Sequence, residues 1–157
     1  MKIGFVLDDT LDSSDGVQQY VLTLGEWLKR NGYNVHYLVG EIKCNDIRNI
    51  HSLSKNIKVR FNKNRMSIPL PADKKTIKKL LCELELDVLH VQMPYSPQLA
   101  ARVINSAPKN VGIVATFHIL PYSSVEKIGT KLLATVVKKS AKRIDRLIAV
   151  SLPAAEF

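Results

Sequence analysis

Apolar residues gather along the chain in short runs rich in Val, Ile and Leu: Ile3 to Leu7, Val35 to Val39, Ile57 to Phe61, Val88 to Val91, Val111 to Phe117 and Leu147 to Val150. Near-continuous runs of this length describe strands buried on both faces. Between them the period changes. Val17, Tyr20, Val21, Leu24 and Leu28 follow helical spacing after Asp15-Gly16, and Gly32 ends that segment as a left-handed cap. Ile77, Leu80, Leu81 and Leu84, then Leu99 to Ile104, then Val125 to Ile144 repeat the helical pattern before the next strand. Strands alternating with helices predict a parallel sheet covered on both faces through right-handed crossovers. The expected fold is Rossmann-like α/β, a single domain over residues 1–157. Glu41 to Asn56 is polar and ambiguous, and the two-proline segment "NKNRMSIPLPAD" reads as a loop.

Composition agrees with one sizeable core: 157 residues, 46% hydrophobic and 24% charged. No run approaches the roughly 18 uninterrupted apolar residues of a transmembrane helix, and the N-terminus enters a strand directly, so the chain reads as cytoplasmic. Cys44 and Cys82 lack any paired spacing, which implies free thiols and no metal. The net charge of +9 favours contact with phosphates, whether of nucleic acid, nucleotide or anionic lipid. With neither zinc-finger spacing nor an aromatic RNA-binding pattern, nucleic acid has charge alone in its favour and is not expected as a partner.

Ligands of such sheets bind beyond the carboxyl ends of the strands. That rule selects Asp8 to Gly16, Asn62 to Arg65, Gln92 to Ser96 and His118. "FVLDDTL" has the look of the Asp-x-Asp-x-Thr opening of a phosphatase, but Val6 stands where the nucleophilic carboxylate is required. A phospho-receiver site fails as well, because "RFNKN" supplies no acceptor carboxylate after the third predicted strand. The helix starting at Gly16 offers backbone N–H groups to an anion; the plainer reading is that Asp15 caps it. His118 ends a strand in the cleft, where an imidazole exchanges hydrogen bonds with a hydroxyl or phosphate; a loop carbonyl satisfies it equally well. His90 fits the core. The helix "DKKTIKKLLCEL" turns Lys74, Lys75, Lys78 and Lys79 to solvent, a common solvated face. With Lys63 and Arg65 it would also attract an anionic membrane, at about 1 kcal/mol per charge.

Taken in order, "DGVQQYVLTLGEWLKRNGYNVHYLVG", "LDVLHVQMPYSPQLAARV", "GIVATFH" and "RIDRLIAVSLPAAEF" resemble the N-terminal half of the family-4 glycosyltransferases, and most of all the phosphatidylinositol mannosyltransferases. The resemblance implies a GT-B architecture, in which the N-terminal domain holds the acceptor and a C-terminal domain holds the nucleotide sugar. This chain would be the acceptor-binding half, a fragment inactive alone, without the donor-binding domain and its Glu-x7-Glu motif. The carry-over places Asp15 and Gly16 at the donor-phosphate loop, and Asp9, Gln18, Asn62, Arg65 and Tyr95 at the acceptor. It places His118 at the reacting centre and the four lysines at the membrane. Asp15, Gln92 and Tyr95 depart from the family pattern, standing where it has Gly, His and Asn.

The implied activity is retaining transfer of a sugar such as mannose, without a cofactor, from a nucleotide-sugar co-substrate such as GDP-mannose or a UDP-sugar. The acceptor would be a lipid or glycolipid at the inner face of the cell membrane. His118 would orient the acceptor and stabilise charge near the leaving phosphate. The competing reading is a stand-alone, non-catalytic Rossmann-like module that binds an anionic ligand or membrane surface.

Overall fold

The computed structural model describes residues 1–12, 15–43, 46–61, 64–94, 96–118 and 138–155, with backbone alone at 56–61, 64–69 and 153. Strands β1 (Lys2–Leu7), β2 (Asn34–Val39), β3 (Ile50–Ser52), β6 (Val88–Gln92), β7 (Gly112–Phe117) and β8 (Arg146–Ala149) form one sheet in the order β3-β2-β1-β6-β7-β8. Every pairing in it is parallel. The strand order reverses between β1 and β6, so the carboxyl ends of these two open the crevice in which such sheets bind ligands.

Helix α1 (Gly16–Arg30) packs on one face against Ile3, Phe5, Leu7, Val35, Tyr37 and Val39. Helices α2 (Lys74–Leu84) and α3 (Ala100–Ser106) cover Val6, Leu38, Leu89, Val91 and Ile113 on the other. Side chains alternate across each strand, so a near-continuous apolar run feeds both layers. The Gly25 Cα lets Tyr37 press against α1, since a Cβ there would stand 2.2 Å from the tyrosine hydroxyl. Gly32, at φ +83°, closes α1: its N–H reaches Lys29 O at 3.0 Å and the Tyr33 N–H reaches Leu28 O at 3.1 Å. This is the left-handed cap expected from the sequence.

The third predicted strand is corrected by the structure. Residues Asn56–Phe61 do form a strand, β4, but it pairs antiparallel with β5 (Asn64–Pro69) in a separate two-stranded hairpin. "NRMSIP", expected to be loop, is therefore strand. The parallel sheet takes its edge strand β3 from the polar, ambiguous stretch instead. Three residues on a sheet edge, half-buried or exposed, carry too little apolar pattern to announce themselves. The helix expected from Val125 to Ile144 is described only at α4 (Lys138–Ala141); α5 is the short turn Leu152–Ala155.

Candidate functional site

The site is built where β1, β6 and β7 end and α1 begins. After β1 the chain enters an acidic loop whose carboxylates serve the protein itself. Asp8 receives Ser96 Oγ–H and the backbone N–H groups of Leu99, at 3.4 Å, and Ala100, at 2.9 Å. Burial pushes its pKa up against those hydrogen bonds, and Asp9 adds to the rise. Asp9 accepts from the Thr10 N–H at 2.8 Å, and Asp12 accepts from Thr10 Oγ at 2.7 Å and the Lys43 N–H at 2.8 Å.

Asp15 is the N-cap of α1, accepting from the N–H groups of Val17 at 3.1 Å and Gln18 at 3.3 Å. An anion at this terminus would meet a carboxylate already engaged with those donors. A Cβ on Gly16 would meet no protein atom within 4 Å, so packing within the domain does not demand glycine here. One turn into the helix Gln18 is 1% exposed; its amide donates to Thr10 O at 3.2 Å, while its buried Oε1 has no partner among the described residues. A buried acceptor left over in this way is the kind of group that a ligand hydroxyl satisfies.

At the end of β7, His118 is half-buried, with Nε2 2.7 Å from Gln92 Oε1 at the end of β6. The Tyr20 ring on α1 meets His118 edge-on, centroids 5.1 Å apart. Partial burial lowers the His118 pKa below its ordinary 6.5, and the Asp15 carboxylate opposes that shift. Beneath it His90, 7% exposed, sits 5.1 Å from the Phe5 ring with Nε2 2.7 Å from Thr116 Oγ. Burial first, and His118 second, pushes its pKa down to about 4. His90 is the core histidine the sequence suggested.

Asp9, Asp15, Gly16, Gln18 and His118 thus share the carboxyl edge of the sheet. Asn62 and Tyr95 lie outside the described residues, and Arg65 is described only as backbone in β5. The four lysines are all exposed on α2, on the opposite side of the sheet from α1; Lys79 stands 3.9 Å from Glu83. Near the start of α2 a cavity of about 300 Å³ is lined by Lys74, Arg102, Asn105 and Lys139. Among the described residues no group of three or more His, Cys, Asp or Glu is placed to hold a metal ion. The apolar run "VLHVQ" gives little sign that Gln92, its last residue, would meet His118; its polarity at a strand end was the available signal.

A parallel sheet covered on both faces, with its polar groups collected at the carboxyl edge beside the strand-order reversal, defines a Rossmann-like α/β domain. The chain belongs to Glycosyltransferase Family 4, whose model matches residues 14–157. A phosphatidyl-myo-inositol mannosyltransferase of Mycolicibacterium smegmatis is 30% identical over 96% of this chain and 38% of its own. The protein of the same name from Propionibacterium freudenreichii is 28% identical over 99% of this chain and 42% of its own. This chain therefore spans about two fifths of those relatives' length. Among solved structures, an alpha-glucosyltransferase in complex with UDP and a 13-mer DNA superposes with a TM-score of 0.60 at 16% identity, over 98% of this chain and 38% of that one.

Proposed function

We propose that this chain is the acceptor-binding domain of a retaining glycosyltransferase that moves a sugar, mannose by analogy with its named relatives, from a nucleotide sugar to a lipid-linked or membrane-surface acceptor. The observation that carries the reading is that half-buried His118, held by Gln92, and a buried Gln18 Oε1 with no partner among the described residues both lie at the carboxyl edge of the sheet. Both groups suit a hydroxyl-bearing ligand, and family membership supplies the reaction class. The transfer would pass through an oxocarbenium-like state. The contribution of His118 would then be orientation of the attacking hydroxyl. Its lowered pKa keeps the imidazole neutral near pH 7, which leaves it little charge to offer a leaving phosphate.

The test is sugar transfer by the full-length protein from GDP-mannose or a UDP-sugar to a lipid acceptor. His118→Ala is expected to lower kcat/KM by about two orders of magnitude, as loss of a positioned catalytic group does. Transfer at the wild-type rate would remove His118 from the reaction. Absence of transfer by the wild-type protein, with each donor tried, would favour the non-catalytic module.

The membrane reading is supported by four exposed lysines on α2 and by the basic cavity at its start. Vesicles containing phosphatidylglycerol are expected to co-sediment the protein more than neutral vesicles do, and less after Lys74, Lys75, Lys78 and Lys79 become Glu. Equal sedimentation with both vesicle types would dismiss it.

A further inference from the structure

Gln92 is completely buried, 0% exposed, and its side-chain amide lies between two groups that together decide its orientation. On one side its Nε2 reaches the His90 backbone oxygen at 3.4 Å. A backbone carbonyl only accepts, so the amide nitrogen must face it; the flipped amide would set two acceptors against each other in a buried site. Its Oε1 therefore faces His118 Nε2, 2.7 Å away. An amide oxygen also only accepts, which requires the proton on His118 Nε2.

A neutral imidazole carries one ring proton, so Nδ1 is then bare. Among the described residues Nδ1 has no hydrogen-bond partner. The edge-on Tyr20 ring restricts how the imidazole turns; the Asp15 carboxylate is the charged group acting on it, and His118 in turn acts on His90 beneath it. A bare ring nitrogen accepts a hydrogen bond from an O–H and is mismatched to an anionic phosphate oxygen.

We propose that Gln92 is a positioning residue that holds His118 as the Nε2–H tautomer, so that Nδ1 accepts a hydrogen bond from a substrate hydroxyl. The lock is geometric; its use in catalysis rests on the activity proposed above. It gives a role to the residue that stands in place of the family's histidine. An imidazole at that position has two tautomers to offer, whereas the glutamine amide, oriented by the His90 carbonyl, has one.

The experiment is a long-range nitrogen–proton NMR correlation on the full-length protein with labelled histidine, His118 being assigned by the signals lost in His118→Gln. Near neutral pH the lock predicts a protonated Nε2 and an unprotonated Nδ1 far downfield of it. The near-isosteric Gln92→Met should convert this to a mixture of tautomers and lower kcat/KM about tenfold, the loss expected for one hydrogen bond. Gln92→Glu should raise the pH at which His118 takes its second proton, because a carboxylate favours the imidazolium. A wild-type His118 protonated on Nδ1, or nitrogen shifts unmoved in Gln92→Met, would overturn the proposal. The shifts report the lock whether or not sugar is transferred, so its failure is read separately from failure of the activity.

Discussion

Asp8 shows how one side chain serves the fold at the edge of the site. Its carboxylate ties the end of β1 to the first turn of α3 through Ser96, Leu99 and Ala100. Asp8→Ala should destabilise the protein by about 1–3 kcal/mol, because it strands buried donors. Asp8→Asn should cost less, since its amide still accepts from Ala100 and donates to the Ser96 hydroxyl. The pH dependence follows from the raised pKa. The unfolded chain releases the Asp8 proton first, near 3.8, so the contribution of Asp8 is complete below that value and declines as pH rises through the folded value. The urea midpoint of Asp8→Asn should accordingly improve relative to wild type between about pH 4 and about pH 7. A constant difference would show that desolvation does not govern this group.

At the scale of elements, β3 is held to β2 by few bonds, among them Tyr37 N–H to Asn49 O and Leu53 N–H to Val39 O, each at 2.9 Å. His36 and His51 stack across this edge with ring nitrogens 3.2 Å apart, and one must donate to the other. Burial lowers both pKa values from 6.5, and His51 and Lys2 lower that of His36 further. A lowered histidine pKa gives stability that is intact above 6.5 and lost as pH falls through the folded values. Hydrogen-exchange protection at Tyr37 and Leu53, corrected for intrinsic rate, should therefore fall below pH 6.5 before that of the central strand β1. His51→Gln should blunt the change; an unaltered profile would mean the pair does not control the edge.

For the molecule as a whole, His90 is a large acid liability. It is packed between the rings of Phe5 and Tyr20 and held below its ordinary 6.5 at about 4. The unfolded chain protonates first, so folding loses roughly 3 kcal/mol as pH drops from 6.5 to about 4. Unfolding free energies measured across that interval should fall accordingly, and the slope should flatten in His90→Asn. The same sheet that buries His90 carries His118 on its rim, and burial holds both histidines below their ordinary 6.5.

The alternation of strand and helix, the cap at Gly32 and the strand-end position of His118 were legible along the chain, because period, glycine conformation and the end of an apolar run are local properties. So was the likeness to the family to which the chain belongs. The sequence could not show that residues 56–69 fold into their own hairpin while a three-residue polar segment completes the sheet. Strand pairing is a choice between distant partners, and a short edge strand has almost no pattern to read. Nor could it show that Gln92, at the end of an apolar run, faces His118 across two parallel strands. That contact depends on register between segments 26 residues apart, which the tertiary structure decided because the side-chain direction of each strand is fixed only once its neighbour is in place.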